Sequence, residues 1–171
     1  MIEIVRIPEE RKPVLIGKDG RVKQWIEKGT GASIEVSDAV EISGDDPLGV
    51  LKAKEIVTAI GRGFSPKTCR RLLDEGCELR VISLEGETEK KRRRLFGRVI
   101  GRAGRSREKI ESDTGTRICV FGKTLSLIGK PEETGPAEDA VEELLAGKKH
   151  SWAYRKMRMK KSGELEKAIA K

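Results

Sequence analysis

The sequence is poor in the residues that most often carry catalysis or bind metal ions. It contains one histidine, His150, and three cysteines, Cys69, Cys77 and Cys119, in 171 residues. The cysteines are odd in number, far apart and without CxxC spacing, so neither a disulfide framework nor a zinc site is expected. A single histidine, with no acid close to it in the chain, makes a Ser–His or Cys–His nucleophile improbable.

Long hydrophobic runs are also missing. No apolar stretch approaches the roughly 18 residues that a membrane-spanning helix needs. The N-terminal sequence "MIEIVRIPEERK" lacks the basic-then-apolar order of a signal peptide. With 36% hydrophobic and 37% charged residues, the composition predicts a soluble, cytoplasmic protein without a membrane partner.

Basic residues are abundant, and they are unevenly distributed. The formal net charge is +8. Residues 1–84 contain 14 Lys and Arg and 14 Asp and Glu, whereas residues 85–171 contain 22 and 14. The whole excess of positive charge therefore lies in the second half, which is the half that a polyanion would contact first.

One glycine-bracketed segment occurs twice. Between residues 17–36 and 101–120, nine of twenty positions are identical without a gap. Each copy contains a GxxG tetrapeptide, "GKDG" or "GRAG", and the hydrophobic pattern around each one predicts the order β-α-α-β-β-α. A GxxG between two helices lets the backbone turn sharply and approach a ligand closely, and the following helix aims free amides at an anion such as phosphate.

The extended pattern resembles the KH domain of RNA-binding proteins. Each copy has Ile-Gly-x-x-Gly, an isoleucine six residues after the second glycine, Thr-Gly, and Ile-x-Val. The resemblance implies an α+β protein with two tandem type I KH domains, each a three-stranded sheet backed by helices. We expect a first domain at 1–63, a linker helix at 64–76, a second domain at 77–147, and a basic C-terminal helix and tail at 148–171. No cofactor is implied.

The likeness extends beyond a generic KH pair. The linker "GFSPKTCRRLLDE", the segment "GRVIGRAGRSREKIE" and the ending "GKKHSWAYRKM" resemble the archaeal members of the pre-ribosomal KH family, which includes the eukaryotic partner-of-Nob assembly factor. For that family, the implied role is binding near the 3′ end of small-subunit ribosomal RNA during rRNA processing. The partners implied with it are the processing endonuclease and the alpha subunit of an initiation factor.

In the KH family the GxxG loop clamps about four nucleotides of single-stranded backbone, and a neighbouring apolar groove receives the bases. Low aromatic content, 4%, fits such an aliphatic groove. The resemblance implies that Ile16 and Ile100 back this groove and that Ile34 and Ile118 lie on its strand wall. The predicted RNA-binding residues are Arg98, Ile100, Gly101, Arg102, Ala103, Gly104, Arg105, Arg107 and Ile118 in the second copy and Gly17, Lys18, Gly20 and Arg21 in the first.

The two copies are chemically unequal. In the first loop Asp19 offsets Lys18, whereas the second loop has no acid. We therefore predict that the second copy is the principal RNA site. The run "EKKRRR" at 89–94 is either a track for RNA or a solvated helix face. In "KKHSWAYRKMRMKK", Trp152 and Tyr154 are two residues apart on a predicted helix, so at most one of them packs inward.

Two other functions stay open. One is KH-type regulation of other RNAs, which differs only in the target. The other is an RNA-processing enzyme, which would need metal-binding carboxylates or an acid–base set in a pocket. Asp38, Asp45 and Asp46 are loop acids without an accompanying histidine or cysteine, so we expect no enzyme activity and no metal site. The last residues, 162–171, are predicted to form a frayed or partner-dependent end.

Overall fold

The computed structural model describes residues 1–163 and 170. It contains two units of the same architecture, Met1–Leu79 and a second one from Arg80 onward. Each unit has a three-stranded antiparallel sheet packed against helices, so the predicted α+β class and the β-α-α-β-β-α order are confirmed in both. The last part of the predicted C-terminal tail lies outside the described residues.

The first unit has its strands in the order β1-β3-β2. Val5 and Ile34 pair with Val40 and Ile42 of the central strand. The strands are β1 Ile2–Val5, β2 Ser33–Val36 and β3 Val40–Ser43, and the helices are α1 Lys12–Ile16, α2 Arg21–Thr30, α3 Pro47–Gly61 and α4 Pro66–Cys69. A 3₁₀ turn at Arg70–Leu73 follows α4.

The second unit repeats this sheet as β4-β6-β5. Its strands are β4 Glu78–Ser83, β5 Arg117–Phe121 and β6 Thr124–Gly129, and its helices are α5 Glu89–Ile100, α6 Arg105–Thr114, α7 Pro131–Leu145 and α8 His150–Lys161. The core joins the inner face of the sheet to all four helices. Burial of this apolar surface is the main favourable term that holds the helices on the sheet.

Side-chain caps fix where several helices begin. The Asp46 carboxylate accepts hydrogen bonds from the amides of Leu48 and Gly49, with Pro47 in the first turn of α3. Thr88 caps α5 in the same way through the amide of the third helical residue. Asp46, one of the three loop acids considered above, is therefore used for capping.

Each unit has a seventh element, a helix that follows the β-α-α-β-β-α order and that the sequence analysis placed outside the domain. Gly63 and Gly147, which are 84 residues apart, both have left-handed φ, +98° and +88°. After them come α4 in the first unit and α8 in the second, where the equivalent residues Cys69 and Ala153 are both fully buried. The predicted linker helix at 64–76 is a single α-turn and a 3₁₀ turn that ends at Leu73.

Candidate nucleic-acid interface

The two GxxG loops have the same backbone conformation. Gly17 has φ +75° and ψ 178°, and Gly101 has φ +73° and ψ 178°. The third loop residue is left-handed in both copies, with φ +55° for Asp19 and +53° for Ala103. The second glycine of each loop is also left-handed and immediately precedes α2 or α6. The repeated sequence therefore produces one repeated geometry.

The glycines of the second loop serve different purposes. A Cβ on Gly101 would lie 2.6 Å from the Ser106 Cβ, so no side chain fits there. A Cβ on Gly104 would meet nothing closer than the Arg107 guanidinium at 4.0 Å, so Gly104 is required only for its left-handed φ of +75°. The first glycine lets the loop close onto α6, and the second turns the chain into that helix.

The loop presents charge to solvent and leads into a helix that has no side-chain cap. The N-cap of α6 is Gly104, which has no side chain to accept from the first-turn amides. Arg102 and Arg105 are exposed, and neither makes an ion pair within residues 1–163. In the first loop Lys18 and Arg21 are equally exposed, but Asp19 is exposed beside them. The second loop is thus the more favourable site for phosphate.

Two of the predicted arginines have interaction partners within the fold. The Arg98 guanidinium donates from Nε to the Leu144 carbonyl at 2.9 Å and from Nη2 to the Lys148 carbonyl. It therefore satisfies backbone groups at the end of α7. Arg107 lies with Nε 3.4 Å from the Glu111 carboxylate and is half-buried. Neither guanidinium is as available to RNA as those of the two exposed loop arginines.

The predicted groove isoleucines divide into two pairs. Ile16 is 38% exposed and Ile100 is half-buried, so both offer apolar surface directly before their loops. Ile34 and Ile118 are only 2% and 5% exposed. Ile118 belongs to the same buried core cluster as Ile110, so it offers a base little surface, and its place on the groove wall stays a prediction.

The sequence analysis missed Gly97, which lies on the exposed surface of α5 one turn before the loop. Apart from its two chain neighbours and the backbone of its own helix, no atom lies within 4 Å of the position that its Cβ would occupy. Glycine inside a helix costs about 1 kcal/mol relative to alanine, and no packing contact here requires it. The open position lets a ligand approach the helix backbone beside the loop. The signal in the sequence was a glycine within an otherwise helical run.

The basic run at 89–94 forms the first half of α5. Lys90 and Arg94 are exposed and make no ion pair within the described part of the chain, whereas Arg93 lies 3.7 Å from the Glu89 carboxylate. Lys90, Arg94 and Gly97 share one helix face through their spacing of four and three residues. A basic face therefore continues from the loop along α5.

A cluster of metal ligands and a membrane-spanning helix are two features that the described residues lack. Among them, no group of three or more His, Cys, Asp or Glu side chains could hold a metal ion. Asp38 and Asp45 are exposed and contribute to no such group. No helix within residues 1–163 is both long and apolar enough to cross a membrane.

Comparison with known protein families gives a match in each unit. The model for the second KH domain of PNO1, described as eukaryotic type KH-domain (KH-domain type I), matches residues 78–162. A KH domain model matches residues 2–59. The match to the second KH domain of PNO1 extends past α7 to the end of α8. The chain is also 44% identical over 162 residues to the KH domain-containing protein MJ0443 of Methanocaldococcus jannaschii, with coverage of 90% of this chain and 71% of the relative.

Two solved structures are similar over nearly the whole chain. Dim2p from Pyrococcus horikoshii OT3 is 42% identical, with a TM-score of 0.84 and coverage of 92% of this chain and 98% of that one. A chain of the a/eIF2alpha-aDim2p-rRNA complex from the same organism is 42% identical, with a TM-score of 0.86 and coverage of 95% and 94%.

Proposed function

The chain belongs to the tandem KH-domain family, whose domains bind RNA, and from that premise we propose that it binds the 3′ region of small-subunit ribosomal RNA as a ribosome-assembly factor. The observation that carries the proposal is the second GxxG loop, in which the exposed Arg102 and Arg105 lie beside the first turn of α6, which has no side-chain cap. The similar Pyrococcus chain in a complex with rRNA supports ribosomal RNA as the target.

The proposed binding mode starts at the phosphates. Arg102 and Arg105 contact the backbone on either side of the tight turn, while the positive end of the α6 dipole faces an intervening phosphate. The left-handed residues of the loop bring the protein backbone close enough for these contacts. Because the interactions are electrostatic, they hold the strand without selecting its sequence, and affinity falls as salt rises.

The bases then lie beside α5. Gly97 leaves the helix backbone open there, and Ile100 supplies an aliphatic surface at the end of the helix. Unpaired bases can lie on such a surface and form hydrogen bonds through their edges, which is how single-stranded RNA is read. A duplex would not fit this mode, so a single-stranded 3′ region is the expected ligand.

We assign the principal contact to the second copy and a weaker RNA contact or a scaffold role to the first. The two loops have the same backbone, so their difference lies in charge, with Asp19 exposed in the first loop and Ala103 in its place in the second. A carboxylate next to a phosphate costs binding energy that the first loop's Lys18 must offset.

The proposal includes protein partners. The alpha subunit of an initiation factor is one, because the similar Pyrococcus protein forms a complex with a/eIF2alpha and rRNA. The processing endonuclease is the other, and for it the support is the likeness of the sequence to the pre-ribosomal KH family. The chain itself acts by binding and positioning RNA, without catalysing its cleavage.

Crosslinking in cells, followed by sequencing of the bound RNA, tests the target. We expect reads enriched near the 3′ end of small-subunit ribosomal RNA. Reads spread over messenger RNAs, with no such enrichment, would support a KH-type regulator in place of the assembly role. Nuclease activity of the purified protein that a chelator and Asp45→Ala both abolish would show an enzyme.

A further inference from the structure

The second GxxG loop holds an unfavourable backbone conformation. Ala103 has φ +53° and ψ 27°, the left-handed region in which an alanine Cβ crowds the following carbonyl. The first loop places Asp19 at the same angles, and aspartate adopts this region more readily than alanine. Strained residues of this kind persist when the surrounding structure fixes them. The second loop therefore needs neighbouring contacts that fix it.

Helix α8 contacts both sides of the loop. On the C-terminal side, the Tyr154 hydroxyl donates a hydrogen bond to Ser106 Oγ at 3.0 Å. Ser106 is 4% exposed, and its Cβ occupies the space that forbids a side chain on Gly101. The Tyr154 bond therefore fixes the residue against which the loop closes.

On the N-terminal side, His150 Nε2 lies 2.9 Å from the Arg98 carbonyl oxygen, three residues before the loop begins. Because a carbonyl can only accept, this nitrogen carries the proton and donates. The His150 ring also meets the Tyr154 ring edge-on, with centroids 6.0 Å apart. The two side chains, one turn apart on α8, thus contact the last turn of α5 and the first turn of α6 together.

The first unit provides a comparison within the same chain. Its equivalent of Ser106 is Val22, which has no hydroxyl to accept a bond. Its equivalent of Tyr154 is Arg70, which lies over the Trp25 ring at 5.0 Å, further along α2 and away from the loop. The Tyr154–Ser106 hydrogen bond therefore has no counterpart between the equivalent residues Arg70 and Val22 of the first unit.

We propose that Tyr154, supported by His150, is a positioning residue that holds the second GxxG loop in its RNA-binding conformation. This inference rests on the proposed function only in that the second loop is taken as the principal RNA site. Loss of the Tyr154 hydroxyl leaves the helix in place but lets the loop populate conformations that do not bind RNA. The apparent affinity then falls in proportion to the fraction of molecules whose loop keeps the binding conformation.

The test is Tyr154→Phe in the full chain, which removes the hydroxyl and keeps the ring. Given the strength of one hydrogen bond, we expect single-stranded RNA to bind about two- to fivefold more weakly. Ser106→Ala should have a similar effect, and the double variant should be no weaker than either single one. Trp152→Phe is the matched control. Trp152 lies on the same helix as Tyr154, and the change removes its Nε1 hydrogen bond to the Glu143 carboxylate of α7, so RNA affinity should stay unchanged.

A loosened helix alone would lower the melting temperature without acting on the loop specifically. The amide resonances of Gly101 and Gly104 should therefore shift or broaden in Tyr154→Phe while those of Gly17 and Gly20 stay in place. Unchanged Gly101 and Gly104 resonances together with wild-type affinity would overturn the inference. The double variant Arg102→Asp/Ala103→Asp is titrated alongside: if it keeps full affinity, the assignment of the principal site fails instead.

Discussion

Reversing the charge of the second loop tests the principal site most directly. Arg102→Asp with Ala103→Asp changes the loop by three charge units, from +1 to −2. At about 4 Å in water each unit is worth about 1 kcal/mol against a phosphate, so the expected loss is about 3 kcal/mol, or about a hundredfold in Kd. The assay is a titration of single-stranded RNA ending in the mature small-subunit 3′ sequence.

The structure indicates that this variant folds. Aspartate already occupies the equivalent position in the first loop, with φ +55° and ψ 28° for Asp19 against +53° and 27° for Ala103. Arg102 is exposed, and surface changes usually alter stability by about 0.5 kcal/mol or less. Circular dichroism and thermal melting should therefore match the wild type. The log–log salt slope should flatten by about 0.7 for each phosphate that the variant no longer neutralises.

The matched variant in the first loop is Lys18→Asp, which gives that loop two adjacent carboxylates. It should weaken binding much less than the change in the second loop, because the first loop begins with no net charge. If Lys18→Asp abolished binding and the second-loop variant kept it, the assignment of the principal site would be wrong. The charge asymmetry of the chain would then belong to another partner.

Three further predictions concern how the second unit is held together. Gly101→Ala should destabilise the protein by about 2–3 kcal/mol, since φ +73° with ψ 178° is open almost only to glycine, whereas Gly104→Ala should cost about 1 kcal/mol in urea unfolding. Arg98→Ala should cost about 1–3 kcal/mol in the same assay, because it leaves two carbonyls without their charged donor. The hydrogen bond from Lys156 lowers the pKa of Glu143, so this pair stabilises the fold above the ordinary glutamate pKa, and its contribution disappears as pH falls through the lowered value. The difference in melting temperature between wild type and Glu143→Gln should accordingly be present at neutral pH and absent in strong acid.

The repeat made most of the fold predictable, because identical residues at a constant offset produce identical elements. The GxxG loops, the order of strands and helices along the chain and the helix that closes each core all followed from hydrophobic spacing and glycine positions. The seventh element was not recognised as part of the repeat, since α4 and α8 share almost no identical residues. Cys69 and Ala153 are both fully buried at equivalent positions, which shows that α4 and α8 correspond although their sequences differ.

Two cation–π contacts show why α4 and α8 are equivalent in structure without being similar in sequence. In the first unit Arg70 lies over the Trp25 ring at 5.0 Å, and in the second Lys109 lies over the Tyr154 ring at 5.5 Å. The positions are equivalent, but the cation and the ring have exchanged places. Changing either partner alone would set two cations or two rings against each other. The attraction between a cation and an aromatic face is therefore kept while both residue types change.

The C-terminal ends of α3 and α7 also show an interaction that is kept while the residue that makes it changes position. Arg11 donates at 2.8 Å to the carbonyls of Ile60 and Phe64, and Arg98 donates to the equivalent carbonyls of the second unit. Yet Arg11 and Arg98 are not equivalent positions in the repeat. The carbonyls need a donor, and a long guanidinium can reach them from either place. No periodicity of the sequence could have distinguished this arginine from those that face solvent.

Net charge is for this reason an incomplete guide to the RNA surface. Many cations of the second half are engaged within the fold, as in the pairs of Lys156 with Glu143 and of Lys160 with the Asp139 carboxylate. The guanidinium groups that remain for a polyanion belong to exposed arginines without an ion pair in residues 1–163. In the second half these are Arg94, Arg102, Arg105, Arg155 and Arg158. The first three follow one another along α5, the second loop and the start of α6, so unpaired charge lies where the backbone turns most sharply and where α6 begins without a side-chain cap. Placement of unpaired charge, more than its total, is what makes the second copy the stronger candidate for RNA.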